Sequence, residues 1–233
     1  MTVLIVSGTG TGVGKTVATA AIAACAPGRV AVVKPAQTGP DVGGPPDIDE
    51  VTRLSGVAAV HEFARYPDPL SPHHAARISG LPELAFADAV RRITDLDALH
   101  DLVLVEGAGG LLVPYTSGDR WTMADLAGAL RAPVLVVVAA GLGTLNHTAL
   151  TVGRLAEDAL TLAGIVIGSW PNEPDLAARC NVSDLATMGE LAGALPAGMA
   201  AMRDFRRHAR AALTPRFGGT FDAAAFLAAV ANS

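Results

Sequence analysis

The amino-acid sequence predicts an α/β fold with a doubly wound, mostly parallel sheet. Its apolar, β-branched runs are continuous rather than alternating, as expected for strands that are covered on both faces. Ala-rich stretches with helical spacing lie between these runs, and each is long enough for the crossover that parallel pairing requires. The predicted strands are residues 3–6, 30–33, 102–105, 134–138 and 164–167, and the predicted helices are residues 15–26, 83–99, 122–131 and 146–160.

Length and composition favour one globular domain. The 233 residues fit a single α/β domain spanning 1–233, in which residues 201–233 would form peripheral helices. Apolar residues make up 51% and charged residues 17% of the chain, which excludes intrinsic disorder. Cys25 and Cys180 lie far apart without the spacing of a metal site, so we expect both to be small buried hydrophobes.

Charge and apolar patterning bear on partners and location. The formal net charge of −5 provides no global basic field, so we expect no nucleic-acid partner. The longest apolar runs, such as 134–140, are shorter than the roughly 18 residues of a membrane-spanning helix. The first residues lack a basic region and lead directly into a glycine-rich loop. These features predict a cytoplasmic protein without a membrane partner.

A glycine-rich segment, residues 8–16, follows the first predicted strand and precedes the first predicted helix. Glycines there let backbone N–H groups turn toward an anion, Lys15 adds a positive charge for the β and γ phosphates, and the Thr16 hydroxyl can bind Mg²⁺. A flexible loop with a capping threonine is the alternative. The strict phosphate-loop pattern has glycine where Thr9 stands, so a variant P-loop of the NTPase type is predicted. Its nucleotide-binding residues are Thr11, Gly12, Val13, Gly14, Lys15 and Thr16.

Acidic residues at two places are candidate Mg²⁺ ligands. Glu106 follows an apolar strand at the sheet edge that faces the ligand crevice in open α/β folds; a surface acid is the alternative. Asp47 and Glu50 have the spacing of a helix-capping arrangement, which assigns both to a helix start. Asp49 is then left to act as a second metal carboxylate, unless it is a simple first-turn acid.

Two further segments carry candidate polar groups. Lys34 ends the second predicted strand, where it would add a second positive charge near the phosphates, and Thr38 could donate a hydrogen bond there. A solvated lysine is the alternative. Ser71 and Pro72 predict a helix N-terminus whose free N–H groups could receive a substrate carboxylate. We do not expect the histidines that follow to be catalytic.

The order of these motifs resembles dethiobiotin synthetase over roughly residues 2–200. The resemblance is carried by the P-loop, Lys34-Pro35, Asp49, the segment 71–73, the sequence Glu-Gly-Ala-Gly-Gly at 106–110 and Gly-Thr-Leu-Asn-His at 143–147. It implies a homodimer with one α/β domain per subunit. It also implies closure of the ureido ring of dethiobiotin from 7,8-diaminononanoate, CO₂ and ATP with Mg²⁺, through a carbamate and a carbamic-phosphoric anhydride.

The same resemblance implies roles for individual residues. Lys15, Lys34 and Thr38 would be catalytic, and Thr16, Asp49 and Glu106 would hold the metal. The partner subunit would contribute Leu145 and Asn146 to the substrate carboxylate, although Asn146 could equally cap the helix that follows. The other implied substrate-binding residues are Thr11, Thr38, Ser71, Pro72, Gly109 and Gly110.

The chain departs from the family pattern in the region that reads the base. An Asn-Asp pair is typical of the family there, but this sequence has Gly-Ser-Trp-Pro-Asn at 168–172. We therefore expect backbone groups near Gly168, Pro196, Ala197 and Gly198 to contact the base. Such contacts would accept ATP, CTP or other nucleoside triphosphates.

Two other functions compete with this interpretation. A P-loop switch ATPase of the partition or cell-division type usually carries a lysine early in the loop, where Gly10 stands here. An ATP-dependent amidotransferase carries an additional glutaminase domain, for which 233 residues leave no room. Both are therefore disfavoured.

Overall fold

A computed structural model describes residues 3–39 and 45–232. Its centre is a seven-stranded sheet in the order β3-β2-β4-β1-β5-β6-β7, and each pair of neighbouring strands is parallel. The predicted α/β class with a parallel, doubly wound sheet is confirmed. The strands are β1 Val3–Gly8, β2 Val30–Thr38, β3 Val60–Tyr66, β4 Leu102–Glu106, β5 Val134–Val138, β6 Leu162–Trp170 and β7 Leu191–Pro196.

Helices cover both faces of this sheet. Along β1, Val3 and Ile5 pack into one apolar cluster, whereas Leu4 and Val6 pack into another on the opposite face. Burial on both faces is why the strands are continuous apolar runs. The helices are α1 Lys15–Cys25, α2 Asp47–Ser55, α3 Pro72–Ser79, α4 Phe86–Asp97, α5 Met123–Leu130, α6 Thr144–Glu157, α7 Leu176–Met188, α8 Phe205–Ala212 and α9 Ala223–Ala231, with short 3₁₀ turns at Met199–Ala201 and Pro215–Phe217.

The two outermost strands were not predicted. β3 is half-buried at the sheet edge and carries His61, Glu62 and Arg65, so it lacks a continuous apolar run. β7 is rich in Ala and Gly, which have low strand propensity, although five of its six residues are buried. The predicted helices are all present with shifted ends. α6 begins at Thr144 with Gly143 as N-cap, so the alternative of Asn146 as a helix cap is wrong.

The last two helices pack at the β7 end of the molecule. α8 buries Phe205, Ala209 and Ala212 in the apolar cluster that also contains Leu4 and Val6 of β1 and the buried residues of α1. α9 contacts α7 and β7. Cys25 is buried as expected, whereas Cys180 is exposed, contrary to the sequence expectation. Within residues 3–39 and 45–232, the helices are too short or too polar to cross a membrane.

Strand β6 approaches the P-loop closely at Gly168. A Cβ atom at Gly168 would overlap the carbonyl oxygen of Val13 and lie 2.7 Å from the Val137 side chain. A Cβ at Gly14 would lie 2.5 Å from the Gly168 carbonyl oxygen. The absence of side chains at both positions therefore allows the backbone of β6 to support the P-loop.

This contact predicts a specific defect in Gly168→Ala. The new methyl group must displace the P-loop or β6, so we expect a loss of about 1–3 kcal/mol of unfolding free energy and weaker nucleotide binding. Gly118→Ala is the matched control, because Gly118 lies in an exposed loop where a Cβ atom would have no described atom within 4 Å. Chemical denaturation and nucleotide titration measure both effects; equal behaviour of the two variants would contradict the contact.

Candidate active site

The P-loop connects β1 to α1 at the carboxyl edge of the sheet. Gly12 and Gly14 have φ angles of 75° and 97°, a left-handed region that glycine adopts without strain. Gly14 is the N-cap of α1, and Lys15 is its first residue. The buried Lys15 ammonium donates a hydrogen bond to the Gly10 carbonyl at 2.7 Å. Burial, followed by repulsion from Lys34, lowers the pKa of Lys15 to about 8.

Lys34 is the centre of a buried charge cluster. Its Nζ lies 2.9 Å from Glu106 Oε1 and 2.5 Å from Asp47 Oδ2, and it also reaches the Gly107 carbonyl at 3.3 Å. Burial alone would lower the pKa of Lys34, but Glu106 and Asp47 outweigh it and raise that pKa above its ordinary value. Lys34 lies within β2, which continues to Thr38 rather than ending at residue 33 as predicted.

Thr16 adds a hydroxyl oxygen to the cluster. Its hydroxyl lies 3.0 Å from Glu106 Oε1 and 3.2 Å from Asp47 Oδ1. One hydroxyl and two carboxylates are hard oxygen donors of the type that Mg²⁺ prefers beside phosphate oxygens. The described residues contain no group of three His, Cys, Asp or Glu side chains placed to hold a metal, so a metal here would rely on Thr16 and the nucleotide as well.

The carboxylate beside Lys34 is Asp47 and not Asp49. Asp47 is the first residue of α2, whose N-cap is Pro46, and the prediction that Asp47 and Glu50 form a capping arrangement is wrong. Glu50 instead pairs with Arg53 at 2.6 Å. Asp49 is exposed and makes no contact with the cluster among the described side chains. Despite burial, Lys34 and Thr16 lower the pKa of Asp47. Sequence spacing assigned Asp47 a local partner, whereas its partners are distant in sequence.

Tyr115 supports the loop that follows Glu106. The fully buried Tyr115 hydroxyl accepts a hydrogen bond from the Ala108 N–H at 2.9 Å, and its ring stacks on Trp121 at 4.2 Å between centroids. Burial raises the pKa of Tyr115 to about 12, so the phenol stays protonated. The sequence reasoning missed this residue, because nothing in its local pattern separates it from an ordinary core aromatic.

A cavity of about 770 Å³ lies over this cluster. It is lined by the side chains of this cluster and by neutral and apolar residues from the last part of β2, the loop after β4 and the start of α3. Gly110 instead lines a second cavity, of about 540 Å³, on the other side of residues 109–113. Of the predicted site residues, the larger cavity brings together Thr11, Gly12, Gly14, Lys15, Thr16, Lys34, Thr38, Ser71, Pro72, Glu106 and Gly109.

Other predicted residues lie elsewhere. Leu145 and Asn146, in the first turn of α6, are not among the described residues that line either of these cavities. Among the residues predicted to contact the base, Ala197 donates its backbone N–H to the Trp170 carbonyl at 2.7 Å, so this N–H has a partner within the fold. Gly198 is exposed with φ of 73°. The base-contact roles of these residues stay predictions.

Helix α3 begins as the sequence predicts, with Ser71 as N-cap and Pro72 at the first position. The Ser71 hydroxyl pairs with His74 Nδ1 at 3.2 Å rather than with a helix amide. His73 is buried and its Nδ1 lies 3.1 Å from the Pro114 carbonyl; burial, followed by His74, lowers the pKa of His73. Neither histidine is among the described residues that line the larger cavity.

The parallel sheet, the glycine loop between β1 and α1 and the acidic residue at the end of β4 define a P-loop nucleotide-binding protein. Solved structures agree on the fold. The MinC:MinD cell division complex of Aquifex aeolicus matches with a TM-score of 0.53 and 13% identity over 89% of this chain and 86% of that one. A ParA family ATPase from Chlorobium tepidum matches with a TM-score of 0.52 and 12% identity over 100% and 99%. At such identities the likeness concerns the fold alone.

Sequence comparisons are more specific. The family model described as "AAA domain" matches residues 2–198. A protein of Frankia casuarinae named ATP-dependent dethiobiotin synthetase BioD is 58% identical over 98% of each chain. A protein of the same name from Rhodococcus jostii is 60% identical over 85% of this chain and 87% of the relative. One from Streptomyces avermitilis is 54% identical over 98% of this chain and 99% of the relative. This chain belongs to the dethiobiotin synthetase family, and the predicted resemblance is confirmed.

The position of Asp47 predicts different effects for two neighbouring carboxylates. Asp47→Asn removes a charge that contacts Lys34 and Thr16, so we expect the Mg²⁺ concentration for half-maximal phosphate release to rise about 10- to 100-fold. Asp49→Asn is the matched control and should stay within about twofold of the parent, because its side chain is exposed. Mg²⁺ titrations of both variants decide the assignment, and a larger effect at Asp49 would reverse it.

Proposed function

We propose that this protein uses ATP to carboxylate 7,8-diaminononanoate and close it to dethiobiotin. The observation that carries the proposal is the cluster of Lys34, Thr16, Asp47 and Glu106 beside the P-loop, in a chain 58% identical to a named dethiobiotin synthetase. We place the activity in the cytoplasm, where ATP and bicarbonate are both available.

The first step joins the diamine to CO₂. The lone pair of one amine forms a C–N bond to CO₂ and the nitrogen loses a proton, giving a carbamate. In the proposed complex this anion lies in the larger cavity near Thr38, while the diamine extends along Ser71 and Pro72. The amides of the first α3 turn offer hydrogen bonds to an anion. Apolar lining by Leu70 and Val113 suits a hydrocarbon chain.

The second step transfers the γ-phosphoryl group to the carbamate. The carbamate oxygen forms the new P–O bond, the bond to the β,γ-bridging oxygen breaks, and ADP leaves. Two anions must approach each other, so positive charge is the main requirement. Lys15 would bind the terminal phosphates and Lys34 the oxygens between phosphate and carbamate. Thr11 and Thr38 would add hydrogen bonds at the same positions.

The third step closes the ring. The second amine attacks the carbonyl carbon of the mixed anhydride, the C–O bond breaks, and inorganic phosphate leaves with loss of one proton from nitrogen. No protein nucleophile is required, because each new bond joins two of the bound reactants. Alignment of the reactants supplies much of the rate increase.

We propose that Thr16, Asp47 and Glu106 hold Mg²⁺. When bound, Mg²⁺ neutralises phosphate charge and orients the γ-phosphoryl group. The proposal replaces the predicted Asp49 by Asp47, because Asp47 Oδ1 and Glu106 Oε1 both lie within 3.2 Å of the Thr16 hydroxyl. Lys34 contacts the same carboxylates and holds them together in the protein alone.

We also propose that two subunits complete the site. Leu150 of α6 and Leu112 are 67% and 48% exposed and line the second cavity, and Leu142, just before α6, is 94% exposed. Burial of this surface by a second copy would explain why large apolar side chains stand there. It would also explain how Leu145 and Asn146 reach the substrate carboxylate of the partner.

One experiment tests the activity and the base preference together. The protein is incubated with ¹³C-bicarbonate, 7,8-diaminononanoate, Mg²⁺ and ATP, CTP, GTP or UTP in turn, and products are identified by mass. We expect labelled dethiobiotin with ATP and at least one other nucleotide, because the sequence at 168–172 lacks the Asn-Asp pair expected to read the base. Phosphate release without diamine would instead indicate a switch ATPase. A hundredfold preference for ATP would contradict relaxed base choice.

The role proposed for Lys34 predicts a large loss of turnover in Lys34→Met. We expect kcat to fall at least about 10²-fold, the typical effect of removing a group that stabilises transition-state charge. Arg131→Met is the control for loss of one positive charge, since Arg131 is exposed at the opposite edge of the sheet, before β5. Thermal unfolding with bound ADP and Mg²⁺ identifies the folded fraction. Near-normal turnover of Lys34→Met would refute the role.

A further inference from the structure

Gln37, on β2, connects the sheet directly to the first residue of α2. It is the one glutamine in the sequence and is 6% exposed. Its Oε1 accepts a hydrogen bond from the backbone N–H of Asp47 at 3.0 Å, and its Nε2 donates to the Thr38 carbonyl at 3.2 Å. The amide orientation is defined by these partners, because a backbone N–H can only donate and a carbonyl can only accept.

This hydrogen bond satisfies the backbone N–H of the first residue of α2. The first amides of a helix have no partner within the helix, and an N-cap side chain usually supplies one. Here the N-cap is Pro46, whose side chain cannot accept a hydrogen bond. Gln37 provides the acceptor from the neighbouring strand, three residues after Lys34. The start of α2 is therefore attached to the strand that carries the central cation of the site.

We propose that Gln37 is a positioning residue that fixes the Asp47 carboxylate against Lys34 and Thr16. The inference rests on the proposed function only for its catalytic consequence. Backbone and side chain of Asp47 are held by different partners: the N–H by Gln37, and the carboxylate by Lys34 at 2.5 Å and Thr16 at 3.2 Å. A shift of the first turn of α2 would move the carboxylate with it.

The rest of α2 has independent anchors. Val51 and Leu54 are buried in the core, and the Arg53 guanidinium donates to the Ala200 carbonyl at 3.0 Å. Loss of the Gln37 hydrogen bond should therefore loosen the first turn without detaching the helix. Displacements of about 1 Å at such positions can reduce turnover about 10²-fold.

Two substitutions separate the hydrogen bond from side-chain volume and charge. Gln37→Met keeps the length of the side chain but leaves the Asp47 N–H without its acceptor. Gln37→Glu keeps an acceptor oxygen and adds a negative charge near Asp47. Ser55→Ala is the matched control, because the Ser55 hydroxyl bonds the Val51 carbonyl at the far end of the same helix.

Amide hydrogen exchange by NMR and Mg²⁺ titration of turnover provide the readouts on the full-length protein. We expect Gln37→Met to speed exchange of the Asp47 amide at least about tenfold and to raise the Mg²⁺ requirement about tenfold, while amides of 51–55 stay protected. Gln37→Glu should keep the amide protected and so rescue exchange. Ser55→Ala should change neither the Asp47 amide nor the Mg²⁺ requirement.

Unchanged Asp47 exchange in Gln37→Met would overturn the inference. Equally faster exchange along all of α2 would also overturn it. If the parent makes dethiobiotin and Gln37→Met has the same Mg²⁺ requirement as the parent, the inference fails as well, since either result indicates a merely structural role. If the parent makes no dethiobiotin while the exchange pattern is as expected, the proposed function fails and the positioning of Asp47 by Gln37 stands.

Discussion

The buried ammonium of Lys34 constrains the arrangement of the site. A buried cation requires compensating charge, and Lys34 finds it in Glu106, at the end of the adjacent strand β4, and Asp47, at the start of α2. Val33 pairs with Val105, so Lys34 and Glu106 follow in register. This ion pair therefore follows from the sheet, whereas the contact with Asp47 depends on the placement of α2. Removing either partner would leave a buried charge without full compensation in a low dielectric.

Glycines bring the loops around this cluster close together. A Cβ at Gly109 would lie 2.9 Å from Val113 and 3.7 Å from the Thr11 hydroxyl, and one at Gly110 would lie 3.5 Å from the Gly8 carbonyl. The P-loop and the loop after β4 thus pack backbone against backbone. Because β2, β4 and β1 are adjacent and parallel, Lys34 in the middle of β2 lies beside Glu106 at the carboxyl end of β4, next to the P-loop that follows β1.

Sequence reasoning predicted the parts of this site that local patterns encode. The P-loop glycines, Lys15, Thr16 and Glu106 each follow or precede a clear element, and their position at one sheet edge follows from parallel topology. The contacts of Asp47 with Lys34 and Thr16 and of Gln37 with Asp47 were not predicted, because the partners belong to different elements of the fold. Tyr115 was not predicted because its local pattern is that of an ordinary core aromatic. The capping pattern left Asp49 as the candidate, whereas the aspartate beside Lys34 and Thr16 is Asp47. Strands β3 and β7 were missed because edge position and small residues removed the apolar signal.

The two buried lysines are electrostatically different. Lys34 has two carboxylates beside it and a raised pKa, so it stays charged whether or not a nucleotide is present. Lys15 has a backbone carbonyl as its hydrogen-bond partner and a pKa lowered to about 8. A phosphate is the anion that Lys15 lacks, and its binding would favour the charged form. Among the described residues, Lys34 is thus the lysine that holds the two carboxylates together, whereas the hydrogen-bond partner of Lys15 is a backbone carbonyl.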